Sequence, residues 1–143
     1  MDRVRTELEA ICRRFGVASL YVFGSRAEEA AALWAGGHQK IPTAGSDLDV
    51  AIQPAAGALD GIDDRVLLQH SLEALFGVPS VDLVLLPDAD PFVAADAIRG
   101  ELLYCDDEVR QAYEELYYLR RAGDLAPFQR ARLEGILSGE LRR

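Results

Sequence analysis

Ser46-Asp47-Leu48-Asp49-Val50-Ala51-Ile52 is the stretch whose reading decides the fold. Successive side chains of a strand point to opposite faces, so Asp47 and Asp49 share one face of it. Leu48 and the Val50-Ala51-Ile52 run supply the burial that holds such a strand in place. Two carboxylates on one face repel each other unless a cation lies between them. Mg²⁺ suits that arrangement, because it takes one or two carboxylates and completes its octahedron with substrate phosphates. Upstream, Gly24-Ser25-Arg26 follows the strand-like Ser19–Phe23. A glycine there lets the backbone approach a phosphate, and the amides that follow can face it. Downstream, Val81-Asp82-Leu83-Val84-Leu85-Leu86 is an aliphatic run between Pro79-Ser80 and Pro87-Asp88, read as a further strand. An aspartate inside such a run is costly unless something satisfies it. Beside the first acidic strand, Asp82 completes a three-carboxylate cluster able to hold metal and activate a hydroxyl.

Taken together, Tyr21-Val22-Phe23-Gly24-Ser25-Arg26, Ser46-Asp47-Leu48-Asp49-Val50 and Val81-Asp82-Leu83-Val84 resemble the nucleotidyltransferase superfamily of DNA polymerase beta. Within it the chain is most similar to the minimal nucleotidyltransferases, the antitoxin halves of bacterial toxin–antitoxin pairs. The motifs span residues 19 to 86 and are specific as a set. The resemblance implies an α/β (α+β) fold: a small mixed sheet flanked by helices, with a C-terminal helical extension. It implies a minimal nucleotidyltransferase domain over residues 1–105 and the extension over 106–143. It also implies that Gly24 and Ser25 bind the triphosphate; Arg26, whose guanidinium suits phosphate recognition, and Ser46 are further nucleotide-binding candidates. Asp47 and Asp49 then bind one or two Mg²⁺ ions, and Asp82 serves as the third acid and metal ligand.

One departure from close relatives is the stretch of residues 27 to 45, where they have a short turn. Ala27-Glu28-Glu29-Ala30-Ala31-Ala32-Leu33-Trp34-Ala35 is made of strong helix formers and Gly36-Gly37 stops it. The reading is a lengthened helix, then a loop through His38, Lys40 and Pro42. It bears on which base and which acceptor are used rather than on the core chemistry.

The remaining pattern places further elements. Val4, Leu8, Ile11, Cys12 and Phe15 recur at helical spacing before Gly16. Leu59 to Phe76 reads as a helix burying Val66, Leu67, Leu72, Leu75 and Phe76. Asp90 caps a short helix from Pro91 to Arg99, and Glu101–Cys105 forms an edge strand. From Asp106 two helices are expected. The first carries Val109, Tyr113, Leu116, Tyr117 and Leu119 and ends near Gly123. The second starts around Ala126-Pro127. Appended helices of this kind form an interaction surface.

Composition sets bounds. The 143 residues make one domain able to bury roughly two thirds of its unfolded surface. No run is long enough to cross a membrane and the N-terminus is an amphipathic helix, so a cytoplasmic protein is expected. The net charge of −9, with Lys40 the only lysine, repels nucleic acid and favours a basic protein partner. Template-dependent synthesis and direct DNA binding are therefore disfavoured. Cys12 and Cys105, with only His38 and His70 to help, show no zinc spacing.

The expected chemistry is transfer of a nucleotidyl group from an ATP-like nucleotide to a hydroxyl. The chain has little left to build an acceptor pocket, and the resemblance implies a protein acceptor. In that family the partner is an all-helical HEPN-type toxin, neutralised by adenylylation of a tyrosine. The alternatives are a non-catalytic acidic module that neutralises a toxin by contact, and nucleotidylation of a small molecule or an RNA end. Base preference and self-association are left open by the sequence.

Overall fold

The computed structural model describes residues 3–34 and 47–138. Its elements run α1 (Arg3–Phe15), β1 (Val17–Phe23), a 3₁₀ turn (Gly24–Arg26), α2 (Ala27–Trp34), β2 (Leu48–Pro54), α3 (Ile62–Phe76) and β3 (Val81–Leu85). A second 3₁₀ turn (Leu86–Asp88), α4 (Pro91–Ile98), β4 (Glu101–Cys105) and α5 (Glu108–Ser138) complete it. The strands form one sheet in the order β3-β2-β1-β4. β1 pairs antiparallel with β2 and β4, whereas β2 and β3 run parallel across α3. This is the mixed, helix-flanked α+β sheet that the family resemblance implies.

Alternation along β1 and β2 makes the sheet two-sided. Leu20, Val22, Leu48, Val50 and Ile52 face α1 and α3, where Leu8, Cys12, Leu68, Leu72 and Phe76 close the main core. Tyr21 and Ala51 face the other way, into a smaller core with Ala94, Ala97 and Ile98 of α4 and Tyr118 of α5. Asp47 and Asp49 have the same parity as Ala51, so the carboxylates stand on the α4–α5 side of the sheet.

Polar groups fasten α5 to that side. The Tyr118 hydroxyl donates to Gln53 Oε1 at 2.6 Å, the Tyr21 hydroxyl donates to Glu114 Oε2 at 3.1 Å, and Gln111 Nε2 donates to the Tyr21 hydroxyl at 2.8 Å. Arg110 spans the gap, donating to Ser19 Oγ at 2.7 Å and to the Ala18 carbonyl at 3.0 Å. Burial pushes the Glu114 carboxyl above its usual range, against the hydrogen bonds and the Arg110 charge that favour its ionised form.

Three sequence expectations need correction. The helix expected from Leu59 starts at Ile62, because Leu59 takes a φ of 60°, which a right-handed helix cannot accommodate. Its buried face is Leu68, Leu72 and Phe76, while Val66 and Leu67 are exposed on the outer side. The two C-terminal helices are one, α5, with Pro127 inside it. Gly123 does not enter the left-handed region that would end a helix. It also supplies the carbonyl four residues before Pro127, the one the proline ring crowds. A glycine is the residue best able to let the backbone yield at that point.

The Asp90 cap is present: its Oδ1 accepts from the Phe92 amide at 2.8 Å, and Pro91 occupies the first turn. Replacing it, Asp90→Ala, is expected to lower unfolding stability by about 1 kcal/mol. Chemical denaturation would register this as a lower midpoint at an unchanged slope.

Candidate active site

The site is built at one end of the sheet by three neighbouring chain segments. In the parallel β2–β3 register Asp49 lies opposite Asp82, one step beyond the Leu48–Val81 pair. The Leu48 amide donates to the Ser80 carbonyl at 3.2 Å and fixes that register at the strand entrance. Asp47 stands just before β2, close enough for its charge to act on Asp49. On the other side of β2, Asp49 lies opposite Phe23, the residue that leads into the Gly24–Arg26 turn. The sheet thus brings Asp47, Asp49, Asp82 and the Gly-Ser turn to one place, as their order in the sequence implies.

The electrostatics of this cluster favour a bound cation. The Asp49 carboxyl is pushed above the ordinary aspartate range, first by burial, then by the charges of Asp82 and Asp47, and by a hydrogen bond with Asp82. Crowded like charges raise a carboxylate in this way, and a cation reverses the effect. Among the described residues no three His, Cys, Asp or Glu side chains close into a ligand cage of their own. Mg²⁺ does not require one, since it is held through one or two carboxylates with substrate phosphates and waters completing the shell. The residues therefore fit the ion that the motif calls for, with Asp47 and Asp49 as holders and Asp82 alongside.

The turn is shaped around the carboxylate. Gly24 has a φ of +77°, and a Cβ built on it meets Asp49 Oδ2, the oxygen occupying the space a side chain would need. Ser25 is exposed at the start of the 3₁₀ turn that leads into α2, where a phosphate can reach its hydroxyl and the amides behind it. Arg26 is buried, only 5% exposed, rather than reaching into solvent. Ser46 lies outside the described residues, as does the part of the 27–45 stretch beyond Trp34; its first part is helical, as α2.

Other residues singled out in the sequence fall elsewhere. His70 is exposed on α3 with Nδ1 3.4 Å from Glu73 Oε1, away from the carboxylates. Of the three tyrosines in α5, Tyr118 is buried against the sheet while Tyr113 and Tyr117 face solvent. The Tyr21–Gln111–Glu114 network is the feature that sequence reasoning missed. Its one available signal is the spacing Gln111, Glu114, Tyr118, which puts two polar residues on the buried face of a helix.

Residues 6–109 match the family described as polymerase beta, nucleotidyltransferase. The chain belongs to that family. No protein of curated function matches it in sequence. Among solved structures it is similar to a chain of the toxin–antitoxin MntA–HepT, at 18% identity with a TM-score of 0.67, covering 96% of this chain and 99% of that one. It is also similar to a chain of a toxin–antitoxin complex with AMP-PNP, at 20% identity and a TM-score of 0.67, covering 93% and 98%. A third is from a complex of a tri-AMPylated Shewanella oneidensis HEPN toxin with an MNT antitoxin, at 18% identity and a TM-score of 0.66, covering 96% and 99%. These likenesses establish a shared fold, one that runs over nearly the whole length of both chains.

Proposed function

We propose that this chain is a Mg²⁺-dependent nucleotidyltransferase that moves AMP from ATP to a hydroxyl of a partner protein, acting as the antitoxin of a HEPN-type toxin. The observation that carries the reading is the placing of Asp47, Asp49 and Asp82 beside the Gly24-Ser25 turn. The similar structures add support: one complex holds AMP-PNP, and another holds an AMPylated HEPN toxin with its antitoxin. A tyrosine hydroxyl is the acceptor that the family resemblance implies. Among the described residues no helix is long and apolar enough to cross a membrane.

Each residue has a task in that reaction. Ser25 and the amides of the turn hold the β- and γ-phosphates, with Gly24 allowing the close approach. Arg26, buried in the same turn, adds positive charge near the phosphates. Asp47 and Asp49 would hold Mg²⁺, which would supply charge neutralisation at the triphosphate and acidify the acceptor hydroxyl. Asp82, opposite Asp49 in the β2–β3 register, takes the proton of the attacking hydroxyl in this reading. Attack at the α-phosphorus forms the new P–O bond as the bond to pyrophosphate breaks, and holding both reactants in line supplies much of the acceleration.

The test is transfer of label from each α-labelled nucleotide, with Mg²⁺, into proteins of the source cell's lysate, wild type against Asp49→Asn. A band from ATP alone that the variant fails to produce is the expected result, and its mobility gives the size of the acceptor. Label appearing only in RNA or in a soluble product would overturn the protein acceptor. Equal labelling by both proteins would overturn the site.

A further inference from the structure

Among the described side chains of α5, burial is confined to its first half. Gln111, Glu114, Tyr118 and Ala122 are buried, whereas past Ala122 no residue of the helix with a described side chain is buried. On the face opposite the buried one, Val109, Tyr113 and Leu116 form an apolar stripe, 67%, 70% and 56% exposed. With Glu108 and Ala112 they line an open groove. The same face of the second half carries Gly123, Pro127 and Ala131, four residues apart, all exposed and all small or compact. Large residues on one half and small ones on the other are complementary when two such helices run antiparallel.

Charge is divided along the same helix in the same sense. Asp106, Asp107 and Glu108 precede or open it, and all are exposed. From Arg120 onward the chain holds six arginines against three acids, within a protein whose net charge is −9. We propose that α5 pairs with α5 of a second copy, antiparallel about a two-fold axis near Leu119. That axis sets Val109, Tyr113 and Leu116 over the Gly123–Pro127–Ala131 stripe of the second copy. It also brings Glu108 alongside the second copy's Arg130. The contact is isologous, so each attractive pair occurs twice. Arg120 falls beside the axis, with Asp124 one turn on to offset it. Helical geometry allows this pairing: at 3.6 residues per turn Glu108 and Arg130 lie on the same flank of the stripe.

Sedimentation equilibrium of the full chain alone tests the proposal. The species expected at high micromolar concentration has twice the 15.7 kDa chain mass and dissociates on dilution. Leu116→Asp, at a solvent-facing position, is expected to leave only monomer while its circular dichroism and Mg²⁺–ATP binding stay those of wild type. Glu108→Arg and Arg130→Glu are each expected to weaken dimerisation about tenfold, and the two together to restore it. That rescue separates pairing from misfolding. A wild-type chain monomeric at every concentration overturns the proposal, as does a dimer indifferent to Leu116→Asp or a charge swap without rescue. None of these outcomes touches the nucleotidyl-transfer assay, so the two readings fail separately.

Discussion

Asp49→Asn is expected to abolish nucleotidyl transfer and at the same time to make the metal-free protein more stable. The two effects have one cause. Asp49 is partly buried and faces Asp82 and Asp47, and its carboxyl lies above the ordinary range for those reasons. A carboxyl raised by folding contributes stability that is complete below its unfolded value, about 3.9. That contribution is lost as pH rises through the raised folded value. At neutral pH the ionised group therefore opposes folding, and an uncharged amide of the same shape removes the opposition. The melting temperature without metal should rise by a few degrees, and the gain should vanish at acid pH where wild type is itself protonated. Added Mg²⁺ with ATP should raise the melting temperature of wild type but not of the variant, because a ligand stabilises only the form that binds it. Transfer should fall about 10³-fold or more, since the charge at the reacting phosphate loses its counterpart. Calorimetry with and without metal, beside the labelling assay, measures all three. A variant less stable than wild type in the absence of metal would show that charge does not accumulate here.

Such a site is legible because its signals are local. Asp47 and Asp49 stand at the entrance to an apolar strand and Asp82 inside another, and period-two alternation decides their faces without knowledge of the fold. The Asp90 cap and the bounds of β4 follow equally from short-range rules. What stays hidden depends on partners distant in sequence. Nothing near Tyr21 announces that its hydroxyl meets Gln111 and Glu114, some ninety residues later. Val66 and Leu67 are apolar enough to suggest burial, yet helix phase is set by where α1 and the sheet lie, and that phase selects Leu68 and Leu72. In α5 two habitual stop signals, Gly123 and Pro127, fall within one turn of each other, and a local rule counts each as an end. A glycine that stays right-handed under a proline four residues on leaves the helix intact. The four-strand order has the same origin: β4 adds beside β1 rather than β3, a choice made by the sheet as a whole.

Gly24→Ala tests whether the turn is glycine for its backbone or for its neighbour. Gly24 and Gly57 have nearly the same φ, +77° and +78°, so alanine meets the same left-handed strain at either position. They differ in surroundings. A Cβ at Gly57 meets nothing within 4 Å, whereas a Cβ at Gly24 falls on Asp49 Oδ2. Gly57→Ala should therefore cost about 1 kcal/mol of stability and leave transfer at the wild-type rate. Gly24→Ala should carry the same strain and, in addition, drive the Asp49 carboxylate out of its position between Phe23 and Asp82. If Asp49 holds the metal as proposed, displacing it by about an ångström is enough to lose roughly a hundredfold or more in rate. The difference between the two variants isolates that displacement, because backbone strain cancels in the comparison. It should appear in the Mg²⁺ concentration needed for half-maximal transfer, which is raised for Gly24→Ala and unchanged for Gly57→Ala. Ser25→Ala leaves Asp49 in place and should weaken triphosphate binding without altering the response to metal. If Gly24→Ala matches Gly57→Ala in rate and metal dependence, the carboxylate can yield to a methyl group. The demand for glycine would then rest on the approach of the phosphate alone.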